Sequence, residues 1–149
     1  MHRSHELRKG RVSLAGQPYH VTFATAGRRR LFEDFGVART VMRVFRVLDE
    51  LGETRTHAFM LMPDHAHWLF TLEHGVLSRV VGRAKTLSSR DVRKLRPDLD
   101  AVWHKEYFDH ALRADETFRL VGEYIVANPV RAGLVEHAGL YSHWFAEWL

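Results

Sequence analysis

The sequence predicts an α+β fold in which helices pack on an antiparallel sheet. Three observations carry that expectation: stretches of period-2 alternation, stretches with apolar residues three and four apart, and the order in which the two kinds follow one another. A chain of 149 residues can bury a core without disulfides. Residues 1–149 are therefore expected to form one domain, with residues 1–12 as a basic arm.

Tyr19, Val21 and Phe23 alternate with His20, Thr22 and Ala24, the pattern of a strand with one buried face. An arginine-rich loop follows at Gly27 to Arg30. From Phe35, the positions Ala38, Val41, Met42, Phe45 and Leu48 have helical spacing, so a helix should run to about Glu50 and stop near Gly52. His57 to Met62 and His65 to Leu72 read as two strands joined at Pro63-Asp64, where proline fixes φ and aspartate tolerates a turn. Leu77 to Leu95 sets Leu77, Val80, Val81, Ala84 and Leu87 on one stripe and Arg79, Arg83, Arg90 and Lys94 largely on another. This predicts an amphipathic helix with a break near Ser88-Ser89. Val102 to Leu112 should hold a further strand. Asp115 then caps a helix that runs through Ala127 and ends before Pro129.

With no cysteine, disulfides, thiolate metal sites and cysteine nucleophiles are excluded. No apolar run approaches the length of a membrane span, and no signal-peptide core follows the basic start, so a cytoplasmic protein is expected. The formal charge of +4 is unevenly spread. Residues 1–30 and residues 77–96 each carry seven Arg or Lys against a single acid, which leaves the remainder at −8. Local basic surfaces on an acidic body point to a polyanion such as nucleic acid.

Two stretches carry the chemistry: Met62-Pro63-Asp64-His65-Ala66-His67-Trp68-Leu69-Phe70, and Glu123-Tyr124-Ile125-Val126-Ala127-Asn128-Pro129-Val130-Arg131-Ala132-Gly133. His65 and His67 are two apart on a predicted strand and project from one face, able to converge on one ion. A bare His-x-His in a chain with eleven histidines is more often coincidence than ligation. Two imidazoles also hold a divalent ion poorly, so a third ligand is needed. Asn128, four residues after Tyr124 on the same helix face, and Asp64 in the turn are the candidates. A tyrosine hydroxyl is a weak nucleophile unless a base or cation assists it. By periodicity alone Tyr124 is a tyrosine at the rim of the core.

Together the two stretches resemble the active site of the single-tyrosine HUH transposases, and most closely the REP-associated tyrosine transposases, over about Gln17 to Trp144. The resemblance implies a ferredoxin-like palm with the HUH motif on a central strand. It implies a metal-dependent endonuclease acting in DNA transposition and recombination, which cuts and rejoins single-stranded DNA beside REP-like hairpins. Tyr124 would be the nucleophile of a 5′-phosphotyrosine intermediate, and His65, His67 and, in preference to Asp64, Asn128 would be ligands of Mg²⁺ or Mn²⁺. Arg28, Arg29, Arg30, Arg79, Arg83, Lys85 and Arg90 are the expected DNA contacts, with Trp68, Trp103, Tyr107, Phe108, Trp144 and Trp148 available as base platforms. No residue is assigned as the base for Tyr124, and both monomer and homodimer stay open. The competing readings are a catalytically silent hairpin-binding module and a zinc hydrolase built on the two histidines.

Overall fold

Alternation in the first strand sorts its side chains onto two faces of a sheet. The computed structural model describes residues 15–113, 118–136, 141 and 143–147. The basic arm, Asp115 and Trp148 lie outside the described residues. Strand β1 (Pro18–Ala24) buries Tyr19, Val21 and Phe23 and turns His20 and Thr22 the other way. Helix α1 (Phe35–Glu50) starts at Asp34, whose carboxylate accepts from the Val37 N–H at 3.2 Å. It ends where Gly52 adopts φ 77°, a left-handed conformation that costs glycine little. Strands β2 (Thr54–Met62) and β3 (His65–Leu72) form the hairpin at Pro63-Asp64. Helix α2 (Leu77–Leu95), strand β4 (Phe108–Ala111), helix α3 (Phe118–Val126), the short helix α4 (Asn128–Arg131) and strand β5 (Trp144–Ala146) complete the chain.

The sheet has the order β4-β1-β3-β2-β5, with every pairing antiparallel. Its first four strands in that order, with α1 and α2 as the crossovers, form the ferredoxin-like arrangement, and β5 covers the β2 edge. β3 lies at the centre, paired to β1 and β2 along its length. Burial drives α1 and α2 onto one face, where Val37, Val41, Phe45, Val80, Val81 and Ala84 meet Val21, Phe23, Phe59, Trp68 and Phe70. The opposite face holds a smaller cluster, in which Ile125 and Val126 of α3 pack with Ala58, Met60, Met62, Leu69 and Ala146.

A bulge in β2 makes this two-sided burial work. Thr56 pairs with Phe70 but Ala58 with Leu69, so His57 is an extra residue in β2. Below the bulge Thr54 and Thr56 face α1, where both hydroxyls donate to the Asp49 carboxylate at 2.6 and 2.9 Å. Above it the parity reverses, so Phe59 and Leu61 enter the main core while Ala58, Met60 and Met62 face α3.

Two sequence expectations need correction. Helix α2 runs unbroken through Ser88 and Ser89. Ser88 is buried, its hydroxyl donating to the Ala84 carbonyl at 2.6 Å and accepting from Trp103 Nε1 at 2.8 Å, so it is satisfied without opening the helix. The last helix is not continuous to Ala127: α3 stops at Val126 and α4 begins at Asn128. Pro129 has no N–H to offer the Ile125 carbonyl, and the side-chain Nδ2 of Asn128 donates to that carbonyl instead, at 3.0 Å. Ala127 keeps near-helical angles, so Tyr124 and Asn128 lie on successive turns of a chain that keeps winding.

Candidate active site and nucleic-acid interface

On β3, Ala66, Trp68 and Phe70 fill the main core, which forces His65 and His67 onto the face covered by α3. Their rings stand 5.0 Å apart, centroid to centroid. Each has its Nδ1 engaged. Asp64 Oδ1 lies 2.7 Å from Nδ1 of His65, and because a carboxylate can only accept, that nitrogen carries the proton, which in a neutral ring leaves the lone pair on Nε2. Nδ1 of His67 lies 3.0 Å from Nε2 of His20 and 3.3 Å from the Thr22 hydroxyl. In the tautomer whose Nδ1–H donates to His20, Nε2 of His67 would likewise be left for a ligand. Burial, with further contributions from His20, His65 and Arg131, pulls the His67 pKa down to about 3, so its ring is neutral and ready to ligate. Asp64, the second choice as ligand, is committed to His65 Nδ1 and to an ion pair with Arg28 Nε at 3.3 Å.

The other half of the site comes from α3 and α4. Ile125 and Val126 bury against β2, where Met60 and Met62 are the register partners of His67 and His65. The helix therefore lies beside the two histidines on their own face, an arrangement sequence periodicity could not supply. Tyr124 is 61 % exposed, and the Arg131 guanidinium carbon sits 3.9 Å over its ring centroid. Arg131 Nη2 also donates to Asn128 Oδ1 at 2.7 Å. Among the described residues no group of three His, Cys, Asp or Glu side chains is arranged to hold an ion. Two imidazole nitrogens and an amide oxygen suit a divalent ion that completes its shell with water or phosphate oxygen.

The other tyrosines have structural roles. Tyr19 and Tyr107 are buried. The Tyr141 hydroxyl donates to the Leu61 carbonyl at 2.7 Å, and burial pushes its pKa up to about 12, which opposes ionisation. Three aromatics named as base platforms are core residues: Trp68, Trp103 and Tyr107 are 0 %, 7 % and 5 % exposed, because the sheet face under α1 and α2 needs their bulk. Phe108 is exposed, and Trp144 is half-buried.

The basic residues lie at both ends of the sheet: the arginine loop sits beside the β2–β3 turn, whereas Arg83 reaches Glu53, just before β2, at the end away from the histidines. Thr25 donates to the Arg29 carbonyl at 2.7 Å and to the Asp64 carbonyl at 3.2 Å, which ties the arginine loop to the β2–β3 turn. Gly27 and Arg28 both take positive φ there, 64° and 55°, and Arg28, Arg29 and Arg30 are exposed, the last paired with Glu33 at 3.2 Å. Arg79, Arg83 and Arg90 are exposed on α2, with Arg83 paired to Glu53 at 2.9 Å and Arg90 to Asp91 at 3.3 Å. Lys85 donates to the His104 and Lys105 carbonyls at 2.6 and 3.2 Å and so joins α2 to the segment before β4. Between them lies a groove of about 750 Å³ lined by Lys85, Arg90, Arg93, Lys94, His104 and Lys105, among others. The His104 N–H donates to the Ala24 carbonyl, and Ala24 is the register partner of His65. Two strand spacings, about 10 Å, separate His104 from His65 across the sheet.

His20, Thr25 and Arg131 were not singled out from the sequence as site residues. His20 had a signal, its place on the polar face of β1, but the register that sets it against His67 is not local information.

A ferredoxin-like sheet with paired histidines on its central strand and a tyrosine helix over the same face defines a class of protein before any comparison is made. The chain belongs to the IS200-like transposase family, whose family model matches residues 13–128. Among solved structures it is similar to a REP-associated tyrosine transposase bound to a REP hairpin, at 22 % identity and TM-score 0.70, over 90 % of this chain and 79 % of that one. It is also similar to a Deinococcus radiodurans R1 protein assigned to the transposases, at 24 % identity and TM-score 0.58, over 78 % of this chain and 93 % of that one. No curated protein matches the sequence. Among the described residues no helix is long and apolar enough to cross a membrane.

Proposed function

We propose that this transposase is of the REP-associated tyrosine type, cutting and rejoining single-stranded DNA beside hairpins through a covalent tyrosine intermediate. The observation that supports the reading is the packing of α3, the helix that carries Tyr124, on the sheet face from which His65 and His67 project. The hairpin bound by a structurally similar protein supports the choice of substrate.

His65, His67 and Asn128 would hold Mg²⁺ or Mn²⁺, which when bound supplies Lewis-acid polarisation of a phosphate oxygen. The Tyr124 oxygen attacks phosphorus, a Tyr–O–P bond forms, and the bond to the 3′ oxygen breaks. The products are a 5′-phosphotyrosyl enzyme and a free 3′-hydroxyl. Attack by a 3′-hydroxyl on that linkage reverses the exchange and joins strands without a nucleotide cofactor. Asp64 and His20 keep the histidine Nε2 atoms aimed outward during both steps. Arg28, Arg29 and Arg30 and the groove along α2 give the strand a cationic track to the cut.

Tyr124→Phe tests the mechanism, because it keeps the ring and removes the hydroxyl assigned to the bond. The wild type with Mg²⁺ and a hairpin-bearing strand should give a denaturation-resistant adduct carrying the DNA 3′ of the cut. The variant should shift the hairpin on a native gel but give neither adduct nor nick. Nicking at the wild-type rate would make water the nucleophile. Loss of hairpin binding by the wild type would refute the substrate.

A further inference from the structure

Asn128 Oδ1, a donor assigned to the ion, already faces a cation. Arg131 Nη2 donates to it at 2.7 Å, while the same guanidinium covers the Tyr124 ring at 3.9 Å. The amide cannot turn away from this contact, because its Nδ2 is held by the Ile125 carbonyl that Pro129 leaves without a backbone donor. Arg131 is the movable partner: it is exposed, long and at the end of α4.

On the reading that His65, His67 and Asn128 form an ion site, we propose that Arg131 is a positioning residue that opposes ion binding until DNA arrives. In the free protein it holds Asn128 and Tyr124 together and occupies the face of Oδ1 that an ion would use. A DNA phosphate offers the guanidinium a doubly hydrogen-bonded partner of opposite charge, which draws it off Oδ1 and removes its repulsion from the ion. Ion loading is thereby coupled to DNA binding, and by linkage each strengthens the other. A free protein so arranged binds the ion weakly and keeps its nucleophile pinned away from chance encounters.

The test is Mn²⁺ titration of the full chain, by calorimetry and by the electron paramagnetic resonance of free Mn²⁺, with and without a hairpin whose scissile phosphate is uncleavable. Between a single and a double charge several ångströms apart near the surface, the repulsion is worth roughly a tenfold change in affinity. Arg131→Gln should therefore bind Mn²⁺ roughly tenfold tighter than wild type without DNA, Arg131→Lys should stay near wild type, and the hairpin should tighten Mn²⁺ binding more in wild type than in Arg131→Gln. Adduct formation by Arg131→Gln should be slower despite the tighter ion. A DNA-free Mn²⁺ affinity of Arg131→Gln equal to or weaker than wild type overturns the proposal, since a residue that merely orients Asn128 would weaken the ion when removed. If wild type and Arg131→Gln both fail to take up Mn²⁺ with and without DNA, the ion site itself is refuted and the proposal falls with it.

Discussion

His57 joins the tyrosine helix to the sheet, and its removal gives a measurable loss. The ring is 2 % exposed, stacks on Phe118 at the start of α3 at 4.2 Å and 12°, and is hydrogen-bonded to Glu147 at 2.8 Å and to the Thr71 hydroxyl at 2.7 Å. In His57→Ala the stack forfeits about 1 kcal/mol. The two hydrogen bonds forfeit about 1 kcal/mol each, at the low end of their range for lost partners because both can recover water. The unfilled space adds up to about 1 kcal/mol, depending on how far the site collapses, for a total of about 3 to 4 kcal/mol. A chain of 149 residues gains unfolding entropy of about 0.3 kcal/mol per degree, so the melting temperature should fall by about 10 °C. Circular dichroism melts and urea unfolding measure this. His57→Phe, which keeps an aromatic face for Phe118 but loses both hydrogen bonds, should recover about a third of the loss. A fall of less than about 3 °C in His57→Ala would refute the claim that this ring anchors α3. A full loss in His57→Phe together with a small one in Phe118→Ala would place the anchor in the hydrogen bonds alone.

Acid should destabilise the protein through His67. Its folded pKa lies near 3, below the 6.5 of an unfolded histidine, so as pH falls below 6.5 the unfolded chain takes up a proton that the folded chain refuses. Stability present above pH 6.5 is lost on the way down to about 3, by about 2 kcal/mol at pH 5, and urea midpoints of wild type should fall more steeply between pH 7.5 and pH 5 than those of His67→Gln. Parallel slopes would contradict the assignment. Hairpin binding should weaken with salt, and neutralising Arg29 or Arg90 should each reduce the slope of log affinity against log salt by roughly 0.7 where the residue meets a single-stranded phosphate. An unchanged slope in Arg90→Gln would take the α2 groove out of the DNA track.

Much of the frame was legible because it depends on local periodicity. Tyr19, Val21 and Phe23 announce their strand, the α1 stripe ends at Gly52 as its spacing predicts, and His65 and His67 share a face because a strand has a period of two. What depends on distant partners was not legible. No glycine or proline marks the bulge at His57; it is fixed by Thr71 and Glu147, 14 and 90 residues away. The placement of Tyr124 rests on Ile125 finding Met60 and Met62, which no helix pattern reveals. Ser88 looked like a helix breaker because its partner, Trp103, lies 15 residues on. The uncapped turn at Ala127 was concealed by an Asn128 whose side chain completes the backbone bonding that Pro129 interrupts.

The position of β3 in the middle of the sheet has a consequence in time. A strand paired on both sides and covered on both faces exchanges its amide hydrogens only when much of the domain opens, whereas a peripheral helix held by Ile125, Val126 and the His57 clamp can detach in a smaller event. The histidine pair should thus keep its geometry until global unfolding, while the segment bearing Tyr124 and Asn128 samples other positions at far less expense. One half of the site would be a fixed anvil and the other a hinged arm, the division of labour that the proposed strand transfer would use to carry one DNA end from the place of cutting to another.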